Sequence, residues 1–126
     1  MKNIVIIGGT KGIGKAIVSE VVDNNNVVCL SRNQTDFIHD NYTFHNFDAL
    51  VDDYPDFESV DCLIYCPGSI NLKPISTLSL DDFRNDFELN VIGAVRAIKK
   101  YLNLLKKSGS ASILLFSTVA TKLGMP

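Results

Sequence analysis

A doubly wound α/β domain built on an open parallel sheet is the fold class this sequence predicts, and three observations predict it. The chain opens on four consecutive β-branched residues, Ile4 to Ile7, which read as a strand buried on both faces, as parallel strands are. Glycines follow at once, Gly8, Gly9, Gly12 and Gly14, and then Ile13, Ala16, Ile17 and Val21 recur at helical spacing. Further apolar runs at 27–30, 42–47, 60–65 and 112–116 supply the remaining strands. Right-handed crossovers with a reversal after the first strand give the order 3-2-1-4-5.

The glycine turn is the first element with chemistry in it. Glycine lets the backbone turn sharply and approach a ligand closely, because no Cβ stands in the way. The N–H groups and positive end of the following helix then favour a phosphate over the turn. The element reads as a dinucleotide or nucleotide cradle. Gly8, Gly12 and Gly14 give the spacing G-x-x-x-G-x-G rather than G-x-G-x-x-G. Gly9 to Lys15 also satisfies the start of a P-loop, but Ala16 stands where Ser or Thr would hold Mg²⁺, so that alternative loses its metal ligand.

Gly8-Gly9-Thr10-Lys11-Gly12-Ile13-Gly14 directly after an N-terminal strand resembles the signature of the short-chain dehydrogenase/reductase family. The resemblance implies a Rossmann fold, with residues 1–126 as an NAD(P)-binding domain. It places Gly8, Thr10, Lys11, Gly12, Ile13 and Gly14 against the cofactor.

The other elements follow in order. Asn24-Asn25-Asn26 reads as a helix-ending turn, asparagine tolerating the left-handed conformation. The second strand, Val27 to Leu30, runs into Ser31 and Arg32. An acid about 20 residues past the glycine turn bonds the ribose 2′-OH of NAD, whereas a basic group accepts the 2′-phosphate of NADP. Ser31 stands in the acid's place, followed by Arg32, and Lys11 adds a second cation, so NADP(H) is the expected cofactor. The stretch from Gln34 to Asn41 is too short and polar for a full crossover helix. Tyr42 to Phe47 is the third strand, ended by Asp48 with Ala49 and Leu50 behind it. The resemblance puts Asp48 and Ala49 beside the adenine ring; Asp48 equally suits the cap of a following helix.

Val60 to Tyr65 is the fourth strand. Where the family typically carries Asn-Asn-Ala-Gly, this chain has Tyr65-Cys66-Pro67-Gly68, so the resemblance assigns Cys66, Pro67 and Gly68 to the cofactor wall without the asparagine side chains. Ser79 and Asp82 form a capping box for a long helix to Lys107, with acids in its front half and lysines behind. Phe83, Phe87, Val91, Ile98 and Leu102 mark its expected apolar face, and Asn90 is expected on that buried stripe. The context Asn90-Val91-Ile92-Gly93 resembles that of the family's water-ordering asparagine, which implies a catalytic role for Asn90. After the turn Ser108-Gly109-Ser110, Ser112 to Phe116 is the fifth strand. By the same resemblance, Ser117 or Thr118 carries the hydroxyl that polarises a substrate carbonyl.

Composition narrows the class. At 126 residues, 46% hydrophobic and 21% charged, with net charge −2, the chain suits one globular domain and gives no reason to expect nucleic acid or an anionic membrane. No apolar run has the length of a membrane span. Cys29, Cys62 and Cys66 form no C-x-x-C pair, which suits a reducing cytoplasm, and no metal site is expected. His39 and His45 lack a ligand cluster and read as surface or loop residues. The family's Tyr-x-x-x-Lys pair does not occur here. The expectation is therefore a truncated N-terminal portion, lacking the C-terminal strands and inactive by itself, of an NADP(H)-dependent oxidoreductase acting on a small carbonyl or alcohol substrate. The alternative is a catalytically silent dinucleotide-binding module or scaffold. A homo-oligomer is expected, because the fifth strand would leave an apolar edge ready to pair with another chain.

Overall fold

The computed structural model describes residues 1–124. Five parallel strands form one sheet: β1 (Asn3–Ile7), β2 (Asn26–Ser31), β3 (Tyr42–Asn46), β4 (Cys62–Tyr65) and β5 (Ser112–Leu115), in the order β3-β2-β1-β4-β5. The predicted order is the observed one. β1 lies in the middle, with Ile7 paired to Leu30 on one side and Tyr65 on the other.

Alternation along the strands splits the core into two layers. Val5, Ile7, Leu30, Leu63 and Tyr65 face α3 (Gly93–Ser108) and its buried Ala94, Ala97, Tyr101 and Leu105. Ile4, Ile6, Val27, Cys29 and Ile64 face Val18 and Val22, at the far end of α1 (Gly12–Val21). Every residue of β1 from Ile4 onward is buried, as its unbroken β-branched run predicts. No helix forms between β2 and β3.

At the edge of the sheet away from the glycine turn, Asp61 ties three elements together. Its carboxylate accepts from the Asn3 N–H at 2.8 Å and the Ser108 hydroxyl at 2.6 Å, while its carbonyl accepts from the Ser112 N–H at 3.0 Å. The Asn3 and Ser108 bonds hold the Asp61 carboxyl below the usual carboxylate range.

The long helix departs from expectation. Its start is as predicted: the Ser79 hydroxyl accepts from the Asp82 N–H, and the Asp82 carboxylate accepts from the Ser79 N–H. It then runs as α2 (Leu80–Phe87), a π-helical turn (Glu88–Ile92) and α3. In the π-turn the Gly93 N–H reaches back five residues to the Glu88 carbonyl. That extra residue rotates the phase of the helix. The buried stripe is therefore Ala94, Ala97, Tyr101 and Leu105, while Phe83, Phe87, Val91, Val95 and Leu102 are exposed.

Two smaller corrections concern turns. No asparagine is left-handed: the positive φ values among the described residues belong to Gly8, Gly12 and Gly109, and Asn26 already begins β2. Asp48 caps no helix; residues 48–52 close as a turn on themselves, because the Asp48 carboxylate takes the Leu50 N–H and the Asp52 carboxylate takes the Asp48 N–H. His45 is exposed on β3 and His39 lies in the loop between β2 and β3, where it pairs with Asp23 at 3.1 Å, as expected of surface or loop residues.

Candidate active site

A cavity of about 360 Å³ lies at the carboxyl end of the strands, where the sheet reverses direction around β1. This crevice is where open α/β sheets place their ligands. Three backbone segments wall it: the glycine turn, the ends of β2 and β3, and the segment after β4.

The glycine turn is shaped by positions where a side chain cannot stand. Gly8 has φ +79° and Gly12 has φ +50°, both left-handed. A Cβ on Gly14 would lie 2.1 Å from the Gly8 carbonyl oxygen, so α1 packs directly onto the strand end. A Cβ on Gly12 would meet nothing within 4 Å; Gly12 borders open cavity. No side chain caps the first turn of α1, and no acid lies in it. The first N–H groups of a helix have no partner within it, and here no side chain supplies one. Uncapped N–H groups, a glycine facing open space and a cavity above them fit a phosphate-bearing ligand.

The second wall carries charge. The Thr10 and Ser31 hydroxyls are 2.8 Å apart, and Thr10 is buried. This contact brings the next residues, Lys11 and Arg32, to the same end of the cavity, and both line it. Among the described residues neither has an ion-pair partner. Phe47, Asp48, Ala49 and Leu50 continue the wall.

The third wall is Cys66, Pro67 and Gly68. Burial pushes the Cys66 thiol up to about 11, which disfavours its thiolate form. Tyr65, just before it, points into the helix layer and donates to the Leu89 carbonyl. Burial pushes the Tyr65 phenol up to about 12. Tyr54 and Tyr101 likewise donate to backbone carbonyls, of Gly93 at 3.0 Å and Pro55 at 2.8 Å.

Gly8, Thr10, Lys11, Gly12, Ile13, Gly14, Ser31, Arg32, Asp48, Ala49, Cys66, Pro67 and Gly68 thus converge on one cavity. Asn33, Leu50, Leu89 and Phe116 also line it and were not singled out from the sequence. Leu89 and Phe116 had a signal, since each immediately precedes a singled-out polar residue.

The other three candidates lie apart from the cavity lining. Asn90 sits in the π-turn, exposed, with its carboxamide clamped on one backbone unit: Oδ1 accepts from the Ser69 N–H at 2.8 Å and Nδ2 donates to the Ser69 carbonyl at 2.9 Å. The expectation of a buried stripe fails for Asn90 because the π-turn carries it off that face. Ser117 and Thr118 follow β5 and are exposed; Thr118 Oγ1 accepts from the Ala120 N–H at 3.3 Å, opening a short 3₁₀ turn (Val119–Thr121). Among the described residues there is no cluster of metal-ligating side chains, and no helix is long and apolar enough to cross a membrane.

Solved structures with this architecture are numerous. A short chain dehydrogenase family protein from Francisella tularensis shares 24% identity and a TM-score of 0.85, over 100% of this chain and 55% of its own. A short chain dehydrogenase from Leptospira borgpetersenii, with bound NAD+, shares 19% identity and a TM-score of 0.85, over 99% of this chain and 54% of its own. ElxO with NADP bound shares 24% identity and a TM-score of 0.80, over 100% of this chain and 59% of its own. This chain therefore spans little more than half the length of these structures, and at such identities the likeness establishes the fold. No curated protein matches at the sequence level. The family model described as short chain dehydrogenase matches residues 40–126, which include the third wall, the π-turn and the strand end at Ser117. With that match over most of its length, the chain belongs to the short chain dehydrogenase family.

Proposed function

We propose that this chain binds NADP(H) in the cavity and forms the cofactor half of an oxidoreductase acting on a small carbonyl or alcohol substrate. The observation that carries the cofactor choice is the charge at one end of the cavity. Lys11 and Arg32 flank the Thr10–Ser31 hydroxyl pair, and no carboxylate stands at Ser31. Two cations with no ion-pair partner among the described residues suit a 2′-phosphate; a hydroxyl in place of an acid removes the usual partner of a free 2′-OH. Solved relatives carry NADP in one case and NAD+ in another, so the choice rests on these residues.

In this reading the uncapped start of α1 and the glycine turn hold the pyrophosphate, and Asp48 and Ala49 border the adenine. Asp48 has one carboxylate oxygen on the Leu50 N–H, which leaves the other for the adenine amino group. Cys66, Pro67 and Gly68 wall the riboses. The nicotinamide supplies or takes up the hydride when bound. Ser117 or Thr118 orients the substrate carbonyl, and Asn90 holds a water in the proton path. The Asn90 clamp on Ser69 leaves its backbone carbonyl, rather than its carboxamide, for that water.

A second reading, a dinucleotide-binding module without catalysis, is favoured by the tyrosines. Tyr54, Tyr65 and Tyr101 all spend their hydroxyls on backbone carbonyls. The exposed stripe of α2 and α3 and the apolar β5 support self-association, and three free thiols suit a reducing cytoplasm.

Calorimetric titration of the purified chain with NADPH and NADH tests the proposal. Tighter NADPH binding is expected. Equal affinities overturn the NADP assignment, and binding of neither overturns the dinucleotide reading altogether. Oxidation of NADPH against a panel of carbonyls separates enzyme from silent module.

A further inference from the structure

The turn at residues 48–52 forms part of the cavity wall, yet it is almost self-contained. Its hydrogen bonds run from Leu50 to Asp48, from Asp48 to Asp52, and from the Val51 and Asp52 N–H groups to the Asp48 carbonyl. Among the described residues one hydrogen bond ties it to a distant element: Arg96 Nη2, from the first turn of α3, donates to the Ala49 carbonyl. The same guanidinium lies 3.6 Å from the Glu88 carboxylate in the π-turn. Ala49 lines the cavity from one side, and Leu89, next to Glu88, lines it from the other. Arg96 thus bridges two walls from behind.

The side chain is poorly explained by stability alone. Arg96 Nε is buried and has no hydrogen-bond partner. A buried guanidinium N–H without a partner is costly, and an apolar side chain of similar length would avoid that cost. What an apolar residue cannot do is fix the Ala49 carbonyl.

We propose that Arg96 is a positioning residue for the adenine end of the cofactor cavity, holding the 48–52 turn at a set distance from the π-turn. The ligand's identity rests on the NADP(H) reading above; the hold on the turn does not. The probes are 2′,5′-ADP, which carries the adenosine end alone, and amide hydrogen exchange.

Arg96→Met is expected to weaken 2′,5′-ADP binding by about five- to tenfold, the range of one charge-assisted hydrogen bond partly recovered by water. Exchange at the Leu50, Val51 and Asp52 amides should rise, while exchange at the β1 amides stays unchanged. Arg96→Lys keeps a donor for Ala49 and should recover at least half of the lost affinity. Wild-type affinity and wild-type exchange in a folded Arg96→Met overturn the proposal. If Arg96→Met fails to fold, the shorter and uncharged Arg96→Gln decides: a loss of about two- to threefold with faster Leu50 exchange supports positioning, and wild-type affinity and exchange overturn it. A wild-type chain that binds neither NADPH nor 2′,5′-ADP defeats the cofactor reading, and the exchange comparison then judges Arg96 separately.

Discussion

The hydroxyl of Tyr65 stands where a side chain on Gly93 would have to go: a Cβ built on Gly93 would lie 2.2 Å from the phenolic oxygen. Alanine is the better helix former by ~1 kcal/mol. The clash should outweigh that gain, because forcing a methyl into a filled core costs ~1–3 kcal/mol and Tyr65 would also lose the Leu89 carbonyl. Gly93→Ala should therefore lower stability in urea denaturation. Adding Tyr65→Phe should cost less than the two single changes together, since removing the hydroxyl opens the space. A Gly93→Ala protein more stable than wild type would contradict this packing.

The cradle glycines should differ in kind. A Cβ on Gly14 meets backbone, the Gly8 carbonyl oxygen at 2.1 Å, which has no way to move without opening the turn. Gly12 faces open space, and its substitution meets only the left-handed strain of ~1–2 kcal/mol. Gly14→Ala should be the more destabilised of the two and should lose NADPH binding. Denaturation midpoints in the reverse order would mean that φ, not close packing, governs the turn.

Acid sensitivity should centre on Asp61. Its folded pKa is lowered, chiefly by the Asn3 N–H and then by the Ser108 hydroxyl. A lowered pKa means a contribution fully present above the unfolded value and lost as pH falls through the folded one. Stability should thus decline below pH ~4, the ordinary Asp range, and Asp61→Asn should flatten that decline. An unaltered acid limb in Asp61→Asn would remove this carboxylate as the cause.

The alkaline limb belongs to tyrosine. Burial raises Tyr65 to about 12 from its ordinary 10. For a raised acid the neutral form is the folded one. Its contribution is complete below the unfolded pKa and fades as pH rises from ~10 towards the folded value. Spectrophotometric titration should show tyrosine ionisation delayed and cooperative with unfolding. Four tyrosines titrating freely near pH 10 would refute the burial argument.

Cofactor choice should turn on Arg32. A guanidinium–phosphate contact contributes ~1.5–3 kcal/mol, and an acid there adds repulsion. Arg32→Asp should weaken NADPH by at least ~10-fold and leave NADH nearly unchanged. An unchanged ratio in paired titrations would rule Arg32 out as the discriminator.

The sheet was readable because each signal was local. The run Ile4–Ile7 marks a strand without reference to anything else, and Gly8, Gly12 and Gly14 mark the turn by spacing alone. The family resemblance then assigned residues as far apart as Thr10, Ser31, Asp48 and Cys66 to the cofactor, and all four line one cavity. The helix face was misread because periodicity assumes a constant phase. Phe83, Phe87 and Val91 obey that phase, but the π-turn breaks it, and small Ala94 and Ala97 pack on the sheet where larger residues were expected. Asn90 was displaced by the same turn. The Tyr65–Leu89, Tyr65–Gly93 and Arg96–Ala49 relationships were invisible in the sequence, because each joins a side chain to backbone or to empty space across 24 to 47 residues.

The central position of β1 has a consequence in time. Of the five strands it is synthesised before the others, yet its second neighbour, β4, pairs Tyr65 with Ile7 across 58 positions of chain. At synthesis rates of ~5–20 residues per second, that interval lasts roughly 3–12 s. During it a strand destined for complete burial has partners on one side at most. Nascent chains of this protein should therefore be most prone to capture by chaperones before β4 emerges, and far less so once the centre of the sheet is closed.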